Sequence, residues 1–280
     1  MLADESITVI GAGNIGQALI GGLLRSENDV EPGQIRATRR NPDAIEELEA
    51  SFPGIRASTD NEAAVRDADV VVISVKPQQA DEVFGDLREV IPSDALVISV
   101  LAGITTESIC NRLGEDVAVV RAMPNTPALV DEGATAIAGG RYSTDEQVEI
   151  AAEIFRAVGI VEIVPEHQMD AVTGLSGSGP AYVYMVIEAL TDGGVQQGLS
   201  RKTALRLATQ TVLGAAKLVR ETGKHPAILR DEVTTPGGTA IAAVAELEDH
   251  GLRTMLIEAV KTATERSRAL SDPSEQDDED

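Results

Sequence analysis

The run Ile7-Thr8-Val9-Ile10-Gly11-Ala12-Gly13-Asn14-Ile15-Gly16, continued by Gln17-Ala18-Leu19-Ile20-Gly21-Gly22-Leu23-Leu24, decides how this chain is read. A short β-branched stretch breaks at two glycines and passes into apolar residues at helical spacing, the pattern of strand, tight turn and helix N-terminus. In a turn of this kind Gly11 makes the bend, Gly13 lets backbone N–H groups approach a pyrophosphate, and Gly16 lets the helix lie close on the strand. The unpaired N–H groups and the positive end of the helix dipole then hold the anion. G-x-G-x-x-G is a weak signal in isolation. Here it follows a strand, opens a helix and stands at the head of the chain, so nucleotide binding is the expectation.

The composition narrows the partners. The chain has 280 residues, enough for two domains. Aromatic residues make up only 2%, so the core must be built from Ala, Val, Ile and Leu. Acids outnumber bases 46 to 23 for a formal charge of −23, and only five of the bases are Lys. Such a surface repels phosphate backbones and anionic lipid, which argues against nucleic-acid and membrane partners. An acidic, lysine-poor surface also suits concentrated salt, where screening relieves self-repulsion. Cys110 is the single cysteine, so no disulfide forms within the chain, as in a reducing compartment. The start Met1-Leu2-Ala3-Asp4-Glu5 has no basic or apolar leader pattern, and a soluble, cytoplasmic protein is expected.

Strand-like and helical runs alternate to about residue 164. Ile35–Thr38 reads as a second strand, followed by a helix that Asn41 caps and Pro42 begins. A short strand near Ile55 leads to Asn61, expected to cap the next helix. Val70–Val75, Ala95–Val100 and Val117–Val120 are nearly all apolar, the mark of parallel strands buried on both faces. Ala134–Ala138, a helix opened by Thr144 with Gln147 three residues on, and Ile160–Val164 complete this half. The alternation predicts an α/β fold: an N-terminal doubly wound (Rossmann) parallel sheet over residues 1–164. Beyond Pro165 no strand is apparent, and residues 165–271 read as an all-helical domain. There Pro180–Leu190 is apolar almost all round and is expected to be buried on every side. The faces Leu205, Ala208, Val212, Ala215, Val219 and Leu252, Met255, Leu256, Ala259, Val260, Ala263 fall at helical spacing. So much apolar helix suggests packing against a second copy. Residues 272–280 are acidic and apolar-poor, and read as a disordered tail.

Several residues carry candidate chemistry. An acid about 20 residues past the glycines binds the ribose in NAD-specific folds. Here the second strand ends Thr38-Arg39-Arg40, two guanidiniums suited to a 2′-phosphate, so NADPH is expected, with NADH possible. Ser74-Val75-Lys76-Pro77-Gln78 ends a buried strand at the edge where open α/β sheets bind ligands, and Met123-Pro124-Asn125-Thr126-Pro127 is a rigid loop at the same edge. Two glycine-rich segments, Thr173–Pro180 and Thr234–Thr239, interrupt the helical half; the second precedes a helix and offers another anion site. His167, His225 and His250 are far apart in sequence, which argues against a metal site, and no G-x-S-x-G elbow follows a strand.

With these motifs assembled, residues 6–270 resemble the pyrroline-5-carboxylate reductase family. The resemblance rests on Gly11–Gly16, Val75–Gln78, Met123–Pro127, Ala171–Tyr182 and Asp231–Thr239, five motifs in order. It implies reduction of 1-pyrroline-5-carboxylate to L-proline by NAD(P)H, the last step of proline synthesis, in a homodimer that in many members builds larger rings. By position it implies that Asn14 and Ile15 meet the pyrophosphate, Arg39 and Arg40 the 2′-phosphate, Asn61 the adenosine ribose, and Val75, Lys76 and Ala102 the nicotinamide side. Substrate contacts fall on Glu166 and on Gly238, Thr239 and Ala240, whose backbone would bind the ring carboxylate. In the family a second threonine, whose hydroxyl points toward the ring nitrogen, usually follows; here that position is Ala240. No residue stands out as a general acid; Thr239 and Lys76 are the candidates. Hydride addition to a protonated imine asks mainly that two rings be held face to face. Two other readings stay open on these residues: an NADP-dependent reductase of another small carboxylate, and a non-catalytic NADPH-binding regulator.

Overall fold

Uninterrupted Val and Ile runs form strands here because β-branched side chains fit a pleat covered on both sides. The computed structural model describes residues 2–26, 30–114 and 116–271. The chain begins β1 (Ile7–Ile10), α1 (Asn14–Arg25), β2 (Ile35–Thr38), α2 (Asp43–Ser51), β3 (Arg56–Ser58), α3 (Asn61–Val65), β4 (Val70–Ile73), α4 (Ala80–Leu87), β5 (Leu96–Ser99), α5 (Thr106–Leu113) and β6 (Ala118–Met123). It continues with β7 (Gly133–Gly139), α6 (Asp145–Arg156), β8 (Gly159–Ile163) and the single helical turn α7 (Met169–Val172). The sheet order is β3-β2-β1-β4-β5-β6-β7-β8, so the direction of winding reverses between β1 and β4. Alternate residues of one strand serve the two faces. Val70 and Val72 pack with Leu19, Ile154 and Phe155 from α1 and α6. Val71 and Ile73 pack with Phe84, Leu87 and Ile109 from α4 and α5.

The expected Rossmann architecture is therefore present, with one departure from an all-parallel sheet. β7 runs antiparallel to β6, pairing Val120 with Gly139 and Met123 with Ala136, and β8 is parallel to β7. The reason is local. A parallel return needs a crossover of a dozen or more residues, whereas Met123–Pro127 leads into a 3-10 stretch, Thr126–Val130, that simply reverses the chain. Asn125 fixes the reversal, its Oδ1 accepting from Ala134 N at 2.9 Å and its Nδ2 donating to Ser176 O at 3.1 Å. Capping also differs in two places. Pro42, not Asn41, stands at the cap position of α2, which begins one residue later than expected, at Asp43. Asp60, not Asn61, caps α3, accepting from Ala63 N at 2.9 Å; Asn61 is the first helical residue. The Asn41 side chain accepts from Asp43 N at 3.1 Å, and Thr144 and Gln147 form the expected capping box.

The chain divides into two units: residues up to Ser178 together with those from Lys261 onward, and Gly179–Val260. The division falls beyond Pro165, where the texture of the sequence changes. Residues 166–178 pack on the sheet, with Met169 fully buried beside Met123, Ala136 and Ala138. The glycine-rich stretch Thr173–Gly177 is a π-helical turn. The second unit holds α8 (Gly179–Gln196), α9 (Arg201–Thr222), α10 (Pro226–Glu232), α11 (Thr239–Asp249) and the first half of α12 (Leu252–Ser271). α8 and α9 pack as a pair; Ser200 caps α9, and Ala204 lies against Gly194. In the single chain α8 is not enclosed as its composition suggested: Tyr184, Met185 and Leu190 are 60%, 69% and 50% exposed. On α9 the buried residues are Ala204 and Ala208, while Leu205 and Val219 of the predicted face stay open. Too few apolar neighbours exist within one copy of this unit to cover its own helices. The proposed tail, 272–280, lies outside the described residues. No described helix is long and apolar enough to cross a membrane.

Candidate active site

The turn after β1 has the geometry its glycines suggested. Gly11 has φ +80°, and a Cβ there would stand 2.5 Å from Val75 Cγ1. Gly16 lies against β1, its notional Cβ 3.0 Å from Val9 Cγ1, so α1 comes closer to the strand than an alanine would permit. Gly13 caps α1 without a side-chain bond, nothing crowds its notional Cβ within 3.8 Å, and no acid occupies the first turn. The helix start is thus open to an anion. The turn is pinned from β2: Gly11 N and Ala12 N donate to Thr38 O at 3.2 and 2.9 Å, and Thr38 Oγ1 donates to Asn61 Oδ1 at 2.8 Å.

A cavity of about 360 Å³ opens beside this turn. Gly11, Gly13, Thr38, Arg39, Arg40, Asn61, Val75 and Lys76 all line it, which brings together eight of the residues singled out from the sequence. Asn14 is exposed and Ile15 half-buried on α1; Gly16 is buried behind the turn. Ala102 sits in the loop after β5, packed with Met123, Ala136, Ala138 and Met169. Ser74, at the head of the Ser74–Gln78 segment, is on the cavity wall as well, and sequence reasoning missed Gln79, Glu82 and Asp86 there. With its amide turned so that oxygen faces Arg40, Gln79 accepts from Arg40 Nε at 3.1 Å and Nη2 at 2.6 Å, which steers that guanidinium along the rim. The clue in the sequence was only that Gln79 follows a strand's carboxyl end. The donor set fits a dinucleotide: an open helix start for a pyrophosphate, and two arginines beside β2 for a further phosphate.

Glu166 is held within the first unit. Its Oε1 accepts from Thr106 N and its Oε2 from Thr106 Oγ1, both at 2.7 Å. Behind it lies Arg121, 2% exposed on β6, with Nη1 3.9 Å from Glu166 Oε1 and Nη2 4.0 Å from Asp170 Oδ1. Burial pushes the Arg121 pKa down from the ordinary arginine value, and the two carboxylates pull it back up. Arg121 was missed from sequence, although a lone cation inside the apolar run Ala118–Met123 is a signal.

In the second unit, Gly237 has φ +69° and Gly238 caps α11 with no side-chain bond and no acid in the first turn. Thr235 Oγ1 lies so close to Gly238 that a Cβ would not fit. Thr239 and Ala240 are the first two helical residues, Thr239 exposed and Ala240 half-buried. This start, like that of α1, is unblocked for an anion.

Residues 166–270 match the family model described as pyrroline-5-carboxylate reductase dimerisation, and residues 6–103 match one described as coenzyme F420-dependent NADP oxidoreductase. The pyrroline-5-carboxylate reductase of Methanosarcina acetivorans is 46% identical over 269 residues, covering 96% of this chain and 99% of the relative. Among solved structures, the Coxiella burnetii pyrroline-5-carboxylate reductase has a TM-score of 0.89 at 39% identity, over 96% of this chain and 99% of the other. The Plasmodium falciparum pyrroline carboxylate reductase, solved with NADP bound, has a TM-score of 0.86 at 28% identity over the same shares. Similarity of this extent, running the length of both chains, shows that the protein belongs to the pyrroline-5-carboxylate reductase family.

Proposed function

We propose that the chain reduces 1-pyrroline-5-carboxylate to L-proline with NADPH, completing proline synthesis. The observation that carries this reading is the pair of unblocked helix starts, behind Gly13 and behind Gly238, in a chain matched end to end by pyrroline-5-carboxylate reductases. That match over both units leaves no support for the regulator reading or for a different carboxylate.

When bound, the nicotinamide supplies the hydride; the residues of the chain bind and orient. The N–H groups of Asn14 and Ile15 take the pyrophosphate, and Arg39 and Arg40 take the 2′-phosphate, with NADH accepted less well. Thr38 and Asn61 support the turn and the ribose, while Val75, Lys76 and Ala102 flank the nicotinamide end. The N–H groups of Thr239 and Ala240 hold the substrate carboxylate. An imine that arrives protonated needs no acid from the protein in the hydride step, so positioning supplies the rate. The exposed apolar faces of α8, α9 and α12 are covered in a homodimer, and larger rings of dimers are possible from the same chain. We place the enzyme in the cytoplasm on its single buried cysteine.

The test is an NADPH oxidation assay with pyrroline-5-carboxylate against 2-hydroxy and 3-hydroxy acids, run on protein whose mass is read by light scattering. Turnover is expected with pyrroline-5-carboxylate alone, on a particle at least twice 29.4 kDa. Replacing Arg39 and Arg40 together by Ser should raise KM for NADPH about tenfold or more and leave KM for NADH little changed, since charge-assisted bonds are lost only to the 2′-phosphate. Equal losses with both cofactors would remove the arginines from that role.

A further inference from the structure

Arg40 is an exposed cation on the rim of the cavity beside the first turn, and the group that meets it there is neutral. Glu82 and Asp86 line the same cavity, yet no ion pair engages Arg40 among the described residues. With the Gln79 amide oxygen turned toward it, Nε, Nη1 and Nη2 of Arg40 lie 3.1, 2.9 and 2.6 Å from that one oxygen. A guanidinium carries five N–H donors and a single amide oxygen cannot occupy them all, so donors remain for a second acceptor.

The two partners differ in how firmly the chain holds them. Gln79 is half-buried, ends the 3-10 turn Pro77–Gln79 and caps α4, with its N–H donating to Lys76 O at 2.9 Å and Ala80 N donating to Pro77 O. Pro77 fixes φ at the head of that turn. Arg40 stands in the loop after β2, so the short, anchored side chain sets where the long, exposed one points. The charge of the anchor matters as much as its place. Gln79, Glu82, Val83 and Asp86 fall at helical spacing and line the cavity together, and two of the four are acids. A third acid, at position 79, would pair with Arg40 and neutralise it. The amide orients the guanidinium and leaves its full charge for a phosphate, and confining a long side chain beforehand lowers the entropy lost on binding.

We propose that Gln79 is the positioning residue that sets cofactor preference: its uncharged carboxamide aims Arg40 at the 2′-phosphate of NADPH, so that binding of NADPH is strengthened and binding of NADH, which lacks that phosphate, is not. The proposal deepens the reductase reading and rests on the role given there to Arg40. Gln79 acts through the arginine, so its effect should vanish when the arginine is gone.

The experiment compares wild type with Q79M, Q79E, R40S and the double variant Q79M/R40S at one KCl concentration. It measures kcat and KM with NADPH and with NADH, and the Kd of adenosine 2′,5′-bisphosphate and of adenosine 5′-monophosphate, which differ by the 2′-phosphate alone. Q79M keeps the length of the side chain and removes the acceptor; it is expected to raise KM for NADPH and the bisphosphate Kd about threefold to tenfold. Q79E, which pairs with Arg40, should raise both about tenfold or more. In each variant kcat, KM for NADH and the monophosphate Kd are expected to stay within about twofold. In the R40S background Q79M should add less than about twofold, because the contact it removes is already absent. Unchanged bisphosphate binding in Q79M or in R40S overturns the proposal, as do equal losses with NADPH and NADH. Full additivity of Q79M and R40S would place Gln79 on the nucleotide itself and also overturn it. Where Q79E does not fold, Q79M and the double variant decide. If wild type forms no proline, the reductase reading fails, while the two adenosine binding constants still decide the role of Gln79.

Discussion

Ala240 is the residue at which this chain parts from the pattern its family leads one to expect, and the structure limits what that change means. Ala240 is the second residue of α11, so its backbone N–H remains available whatever its side chain, and the carboxylate site proposed there does not depend on a hydroxyl. Ala240→Thr is therefore predicted to raise kcat/KM by about threefold or more, the worth of one added hydrogen bond to the reacting ring, with KM for NADPH unaffected. Turnover identical to wild type would show that Thr239, Thr235 or water already fills the role. Residue identities were the most legible layer of this protein. Gly11, Gly13 and Gly16 could each be given a task in advance because only glycine tolerates a positive φ, a bare backbone or a strand within van der Waals reach. Arg121 was not legible in the same way. Its significance depends on Glu166 and Asp170 arriving from 45 and 49 positions later, as their ion-pair distances reveal, and no local pattern announces such a meeting.

At the scale of elements, strands written in Val and Ile were recovered almost to the residue, and two kinds of information were missing. The direction of β7 depends on whether its connection is long enough to cross over, which a run of apolar residues does not record. The exposure of α8 depends on what lies outside the chain, so an all-apolar helix reads as buried although one copy leaves it open. A third element-level feature suits direct test. Where β1 and β4 begin, Ser6 N and Oγ donate to Asp69 Oδ2 at 2.8 and 2.7 Å, and these bonds hold the Asp69 carboxyl below its ordinary pKa. A carboxyl whose pKa is depressed by folding stabilises the fold above its unfolded value, near 3.8, and that contribution is lost as pH falls through the folded value. Asp69→Asn should therefore lower Tm at neutral pH and make Tm less steeply dependent on pH below 4 than in wild type. Parallel Tm curves for the two proteins across that range would remove Asp69 from the acid response.

Across the whole molecule, the surplus of 46 acids over 23 bases is spread on a protein that must still bind two anionic ligands. In the proposed reading the two unblocked helix starts and the arginines at β2 answer that conflict locally, with N–H groups and guanidiniums offered to the ligands' charges. Self-repulsion of the remaining surface is screened by salt, which lengthens no contact but lowers the charge felt between copies and within each one. The same physics predicts that both units, and the activity that needs both, are better maintained at molar KCl than in dilute buffer. The most direct test of the account is to follow proline formed and NADPH consumed from 1-pyrroline-5-carboxylate in dilute buffer and in molar KCl. The account predicts one proline per NADPH, slower with NADH, and higher activity in the salt. NADPH bound tightly with no proline formed in either condition would contradict it.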